Sequence, residues 1–278
     1  MTILDAETQP AHARSGRGED RVAARTQVAR ALAPVATLGV VTVAWWIAAD
    51  LAPASDSVLR RFAPQHAFAE TWRLITSLEI VDDVVVSLRR IAIGLAIASV
   101  VGGALGVVLG ISGRVERATS ALFQLVRMVS PLAWAPLAII VFGVGDAPVH
   151  FLLAIGAMWP IMINTAAGIQ QLDRRWMQVA HTLGATSAET MRAVVLPGIR
   201  PHALTGFRVA LGIAWVILVP AEMLGVDSGL GYSILDARDR FAYDELAARI
   251  LIIGALGYLI DTLARRILSK RRPKSSAS

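Results

Sequence analysis

The sequence predicts an all-α polytopic membrane protein with about six transmembrane helices, and three observations carry that prediction. Hydrophobic residues fill 55% of the 278 positions, mean hydropathy is +0.57 and only 17% of residues are charged, far from the composition of a soluble domain. Apolar runs recur at the length a helix needs to cross about 30 Å of hydrocarbon. Arginines and lysines gather in alternate connections between those runs, the bias that sets orientation in a membrane.

Residues 1–30 are polar, carry Arg14, Arg17, Arg21, Arg25 and Arg30, and show no apolar signal-peptide core before Ala31. They read as a disordered basic cytoplasmic tail. The membrane domain then covers 31–268. Its charge-free spans are Ala31–Ala49, Ile91–Ser112, Met128–Gly145 and Phe151–Leu172; Ala203–Ala221 contains Arg208, and Leu246–Leu263 contains Arg249 and Asp261. Residues 269–278 form a second basic cytoplasmic tail, with Lys270, Arg271, Arg272 and Lys274. With the N-terminus inside, seventeen Arg and Lys fall on the cytoplasmic side and seven on the other, Arg89 and Arg90 among the seven. N-in and C-in follow.

Side-chain patterns refine the spans. Gly94, Ala98, Gly102, Gly103, Gly106 and Gly110, with Ala166, Ala167 and Gly168, permit close helix approach. Trp45, Trp46 and Trp72 suit the outer interface, whereas Trp134, Trp159 and Trp215 fall in or near span interiors. The sequence pI near 10.6 reflects charges that flank spans, so it does not point to nucleic acid. There is no cysteine, hence no disulfide and no thiolate site. His12, His66, His150, His181 and His202 have no metal-ligand spacing, and no metal site is expected.

One polar, helix-patterned insert interrupts the apolar sequence at 173–197. Asp173 is placed to cap the helix RRWMQVAHTL, and Gly184 supplies the left-handed residue that ends it. Thr186 and Glu189 form a capping box for a second helix, and Pro197 is expected to stop that helix. Val179, Leu183, Met191, Val194 and Val195 make a sparse apolar stripe. The pattern alone suits either a docking element or an interfacial helix pair.

The run Gln178-Val179-Ala180, Gly184, nine intervening residues, Val194 and Leu196-Pro197 resembles the EAA motif of permease subunits in binding-protein-dependent ABC importers. Ser130–Pro148, Ile163–Ile169 and Thr205–Tyr232 are similar to the branch that imports sulfonates, taurine and nitrate. The resemblance spans about 83–266, with Gln178 in place of the motif's acid and Val179 in place of its first Ala. It implies a cytoplasmic coupling element, with Gln178, Val179, Ala180, Leu183, Gly184, Ala185, Glu189, Val194, Leu196 and Pro197 docking on an ATPase subunit. It implies, too, a bacterial inner-membrane location, an extracytoplasmic solute-binding protein and a second copy of this chain. ATP and Mg would sit on the partner ATPase, because Lys270 and Lys274 are the only lysines and neither follows a glycine, which excludes a phosphate-binding loop. No cofactor is expected on this chain, and translocation involves no bond chemistry of its own.

Ionisable and polar groups within spans are the candidates for a passage or gate: Arg127, Ser130, Pro131, Trp134, Asn164, Trp215, Glu222 and Met223. Pro131 and Pro136 should break or kink the third span. Arg127 could attract an anion, reach the inner interface, or pair with Glu222 or Asp146. Glu222 could gate, pack or be solvated, and Asp227–Tyr232 could be a flexible outer loop or a turn. An ion-gradient-driven carrier and a non-transporting scaffold are the other classes. Neither inverted repeats nor a coupling-ion site supports the first.

Overall fold

A computed structural model describes residues 33, 36–51 and 60–269, and both basic tails, Ser269 apart, lie outside those residues. The chain divides into two units, residues 1–66 and 67–278. In the first, helix α1 runs Ala36–Asp50 and is apolar, with Leu38, Val40 and Val41 exposed. It covers the later part of the first expected span. Helix α2, Pro64–Thr76, runs across the division between the units.

The second unit contains α3 Val81–Ile111, α4 Gly113–Met128, a 3-10 turn Pro131–Trp134 leading into α5 Ala135–Phe142, and α6 Asp146–Gln170. After these come α7 Arg174–Thr182, α8 Ser187–Thr190, α9 Leu196–Glu222, α10 Leu230–Asp239 and α11 Tyr243–Ser269. Among the described residues no strand occurs. Four helical segments are long and apolar enough to cross a membrane, Val81–Ile111, Asp146–Gln170, Ser187–Glu222 and Tyr243–Ile267. The bent pair Gly113–Met128 and Pro131–Phe142 makes a fifth candidate if counted as one span.

The core is α6, sandwiched between α3 and α9. Small residues on α3 set the approach. A Cβ at Gly94 would lie 2.6 Å from Leu153 Cβ, one at Gly102 2.5 Å from the Met158 carbonyl oxygen, and one at Gly106 2.6 Å from that of Met162. Rising numbers meet rising numbers, so α3 and α6 run parallel. Gly168 meets His202 and Gly206 meets Asn164, so α9 runs antiparallel to α6. Gly103, counted with the packing stripe, faces outward: a Cβ added there would meet nothing within 4 Å. Ile91, Leu95, Leu152, Leu153, Ala157, Ala210, Ala214 and Leu218 fill the space between the three helices.

Two expectations are corrected here. The third span is not one helix from Met128 to Gly145: α4 ends at Met128, and the axis bends by 86° before α5. The prolines act as expected, since Pro131 starts the 3-10 turn and Pro136 occupies the first turn of α5. Pro197, in contrast, does not stop a helix. It lies in the first turn of α9, just after a π-helical stretch Met191–Val195, and Ser187–Glu222 reads through as one 36-residue segment. A wider π turn accommodates a missing N–H and ring that a regular α turn would not.

Candidate functional site

One end of the bundle holds a buried charge cluster. Val81 begins α3 ten residues before the expected span, so Arg89 and Arg90 are helical rather than part of a connection. Arg90 is 1% exposed and Glu222 0%. All five guanidinium N–H donors are used: Nε and Nη2 donate to Asp146 Oδ1 at 2.9 and 2.7 Å, Nη2 also to Ser228 Oγ at 3.1 Å, and Nη1 to Glu222 Oε1 at 2.9 Å and the Ser228 carbonyl at 2.7 Å. Glu222 further accepts from Ser87 Oγ at 2.8 Å and Gly231 N at 2.8 Å. Leu230 N donates to Ser87 Oγ at 2.9 Å, Gly229 N to Asp83 Oδ1 at 3.1 Å, and Arg89 Nη2 to Asp146 Oδ2 at 2.7 Å. Burying these charges is tolerable because each is paired and hydrogen-bonded.

Gly229 is needed there twice over: its φ is +99°, and a Cβ would lie 2.6 Å from both Arg90 Nη1 and Glu222 Oε1. The segment Asp227–Tyr232 is thus a turn running into α10 and bonded to α3 and α9, not a loose loop. Glu222 is not solvated, and the guanidinium that meets it and Asp146 belongs to Arg90, not Arg127.

The opposite end carries the polar insert. Asp173 Oδ1 accepts from Arg175 N at 2.9 Å, as its capping role requires. Gly184 has φ +72°, with Gly184 N donating to His181 O and Ala185 N to Ala180 O, both at 3.0 Å. This is a Schellman stop. Thr186 and Glu189 form both halves of the capping box, Thr186 N to Glu189 Oε2 at 2.8 Å and Glu189 N to Thr186 Oγ1 at 3.3 Å. Val179 and Leu183 are exposed, the latter by 80%, while Ala180 and Val195 are buried. Trp176, 64% exposed, extends the Val179 and Leu183 stripe by one turn. It is absent from the stripe read from the sequence, although its i,i+3 spacing to Val179 is a signal that could have found it. Gln178, Gly184, Glu189, Leu196 and Pro197 are exposed, and Ala185 and Val194 are half-buried. The insert is therefore a short capped helix, a left-handed stop and the first turns of α9.

Between the two ends, two cavities of about 310 and 320 Å³ share Arg127, Trp159 and Ile163. Pro131 lines the second. Phe123 stacks edge-on against Trp159 with centroids 6.1 Å apart. Other candidates lie elsewhere. Asn164 donates to its own helix at Pro160 O at 2.8 Å, Trp134 and Trp215 pack on the core, Ser130 is exposed at the bend and Met223 is half-buried after α9. Among the described residues no group of His, Asp and Glu could hold a metal.

Residues 98–273 match the family model of the binding-protein-dependent transport system inner membrane component. The chain belongs to this family. A nitrate import permease protein of Leptolyngbya laminosa is 33% identical to it over 219 residues, 76% of this chain and 78% of the relative. A Bacillus subtilis permease protein named for transport of aliphatic sulfonates is 34% identical over 83% of each, and a bicarbonate transport system permease protein of Synechococcus elongatus is 35% identical over 64% of each. The fold is that of a methionine ABC transporter chain solved in inward-facing conformations, with TM-score 0.57 and 19% identity over 69% of this chain and 96% of that one. The permease is thus an inner-membrane subunit of an ABC importer, a class whose partners are an ATPase and a solute-binding protein.

Proposed function

We propose that the permease carries a small monovalent oxyanion, drawn from the class of nitrate, bicarbonate and alkylsulfonates, inward across the membrane on ATP hydrolysed by a separate subunit. The observation that carries the mechanical part is the insert itself. Its apolar stripe Trp176, Val179 and Leu183 is exposed on a helix fixed by Asp173 and Gly184, and the chain beyond runs without interruption from Ser187 into α9. An ATPase gripping that helix pulls on α9, which packs along α6. Displacement at the groove is thereby passed to the bundle as rigid-body motion. ATP and Mg belong to the ATPase, the insert faces the cytoplasm, both termini lie inside, and two copies of the chain enclose the passage. Support for the substrate class is chemical: the relatives are named for three different solutes that share one negative charge on oxygen.

The test is reconstitution. Proteoliposomes holding permease, ATPase and loaded binding protein should hydrolyse ATP faster than those lacking the binding protein, and should accumulate nitrate or ethanesulfonate; permease alone should do neither. Uptake that persists without the ATPase contradicts the reading.

A further inference from the structure

We propose that Arg127 is the anion-pairing residue of the passage, holding the oxyanion where the two cavities meet. The inference rests on the importer reading above and adds the site. Arg127 is exposed and forms no ion pair among the described residues. Arg208, the exposed arginine of the fifth expected span, faces Asp261 at 3.8 Å. A charge at the C-terminal turn of α4 is favoured by the helix dipole, but the dipole does not account for its lining both cavities.

The surroundings suit a small anion. Trp159 and Ile163 give each cavity an apolar wall, and Gln124 adds an amide to the first. Each cavity is at the lower end of the range of about 300–1,000 Å³ typical of small-molecule sites. The same cavity contains Glu116, whose carboxylate accepts from Gln170 Nε2 at 2.9 Å. Eleven residues of helix, about 16 Å, separate it from Arg127. The two backbone positions are therefore about three helical turns apart. The guanidinium, unlike the carboxylate, lines both cavities. The 86° bend between Met128 and Pro131 begins immediately after it, so motion of the bent pair would move Arg127 relative to α6 and change the anion's hold between states.

The experiment uses the reconstituted importer with nitrate and ethanesulfonate as probes, measuring uptake and ATP hydrolysis together. Arg127→Gln should lower uptake of both by about tenfold or more, the scale of one lost charge-assisted contact, and with it the uptake per ATP hydrolysed. Arg127→Lys should keep most of the uptake. In the double variant Gln124→Arg with Arg127→Gln, the guanidinium returns one turn away on the same cavity wall and should restore part of it. Wild-type uptake in Arg127→Gln, or a loss that neither Lys nor the shifted arginine repairs, overturns the proposal. Failure of the wild-type importer to take up any oxyanion would instead strike the substrate reading on which it rests.

Discussion

The two ends of the bundle use polar residues in opposite ways. At one, Arg90, Glu222, Ser87 and Asp146 lock α3, α6, α9 and the start of α10 together, with Arg90 and Glu222 withdrawn from solvent. At the other, Asp173, Thr186 and Glu189 bond the backbone of their own short helices, and Thr186 and Glu189 each other, and all remain at the surface. A buried charge loses its compensation all at once when one partner goes, whereas an exposed cap is replaced by water. The first end therefore sets stability, and the second leaves an apolar stripe open for a partner.

The sharpest break of that contrast is Glu222→Leu, which removes one of the two carboxylates on buried Arg90 and the acceptor of Gly231 N and Ser87 Oγ. A loss of about 3–5 kcal/mol is expected, read as a lower unfolding temperature of the purified permease in detergent. Adding Arg90→Leu should recover much of it, because Asp146 keeps Arg89 and is partly exposed. If the double variant is no more stable than the single, the cluster is not a paired-charge device.

Next in size is the α3–α6 contact that holds both ends in register. Gly102→Ala drives a Cβ against the Met158 carbonyl and should cost about 1–3 kcal/mol. Its neighbour Gly103→Ala, with open space around it, should be neutral or stabilising by about 0.5–1 kcal/mol. Equal effects at the two positions would refute the packing described for α3.

The smallest stability effect is expected at the exposed end. Thr186→Ala should cost about 0.5–2 kcal/mol, confined to the start of the second insert helix, whereas Gly184→Pro cannot take φ +72° and loses the N–H that donates to His181 O, so it should disrupt the stop itself. The latter should also lower solute uptake per ATP hydrolysed in the reconstituted importer. Normal coupling in that variant would mean that the insert does not transmit force through its bend.

Much of the molecule was legible in order along the chain. The caps at Asp173 and Thr186, the stop at Gly184 and the small-residue face of α3 follow local rules in which a residue acts on its neighbours within a turn or two. Arg90 was not legible. Beside Arg89 at the edge of an apolar run it looks like one of the flanking charges that orient spans, and only its partners 56 and 132 residues away give it another role. Pro197 misled for a related reason: a helix-breaking residue stops a regular α-helix, but the π stretch before it absorbs the defect.

Sequence by itself determined that this is an α-helical membrane protein, that one polar insert departs from the apolar pattern, and that the insert is capped in a defined way. Composition and short-range spacing suffice for that, because the membrane and the helix ladder impose their requirements locally. Only the tertiary structure decided which arginine neutralises Glu222, which of the candidate polar residues line a cavity, and that the insert's second helix is the root of α9. Those outcomes depend on contacts between helices distant in the chain, where burial fixes which charges must pair and which are left open.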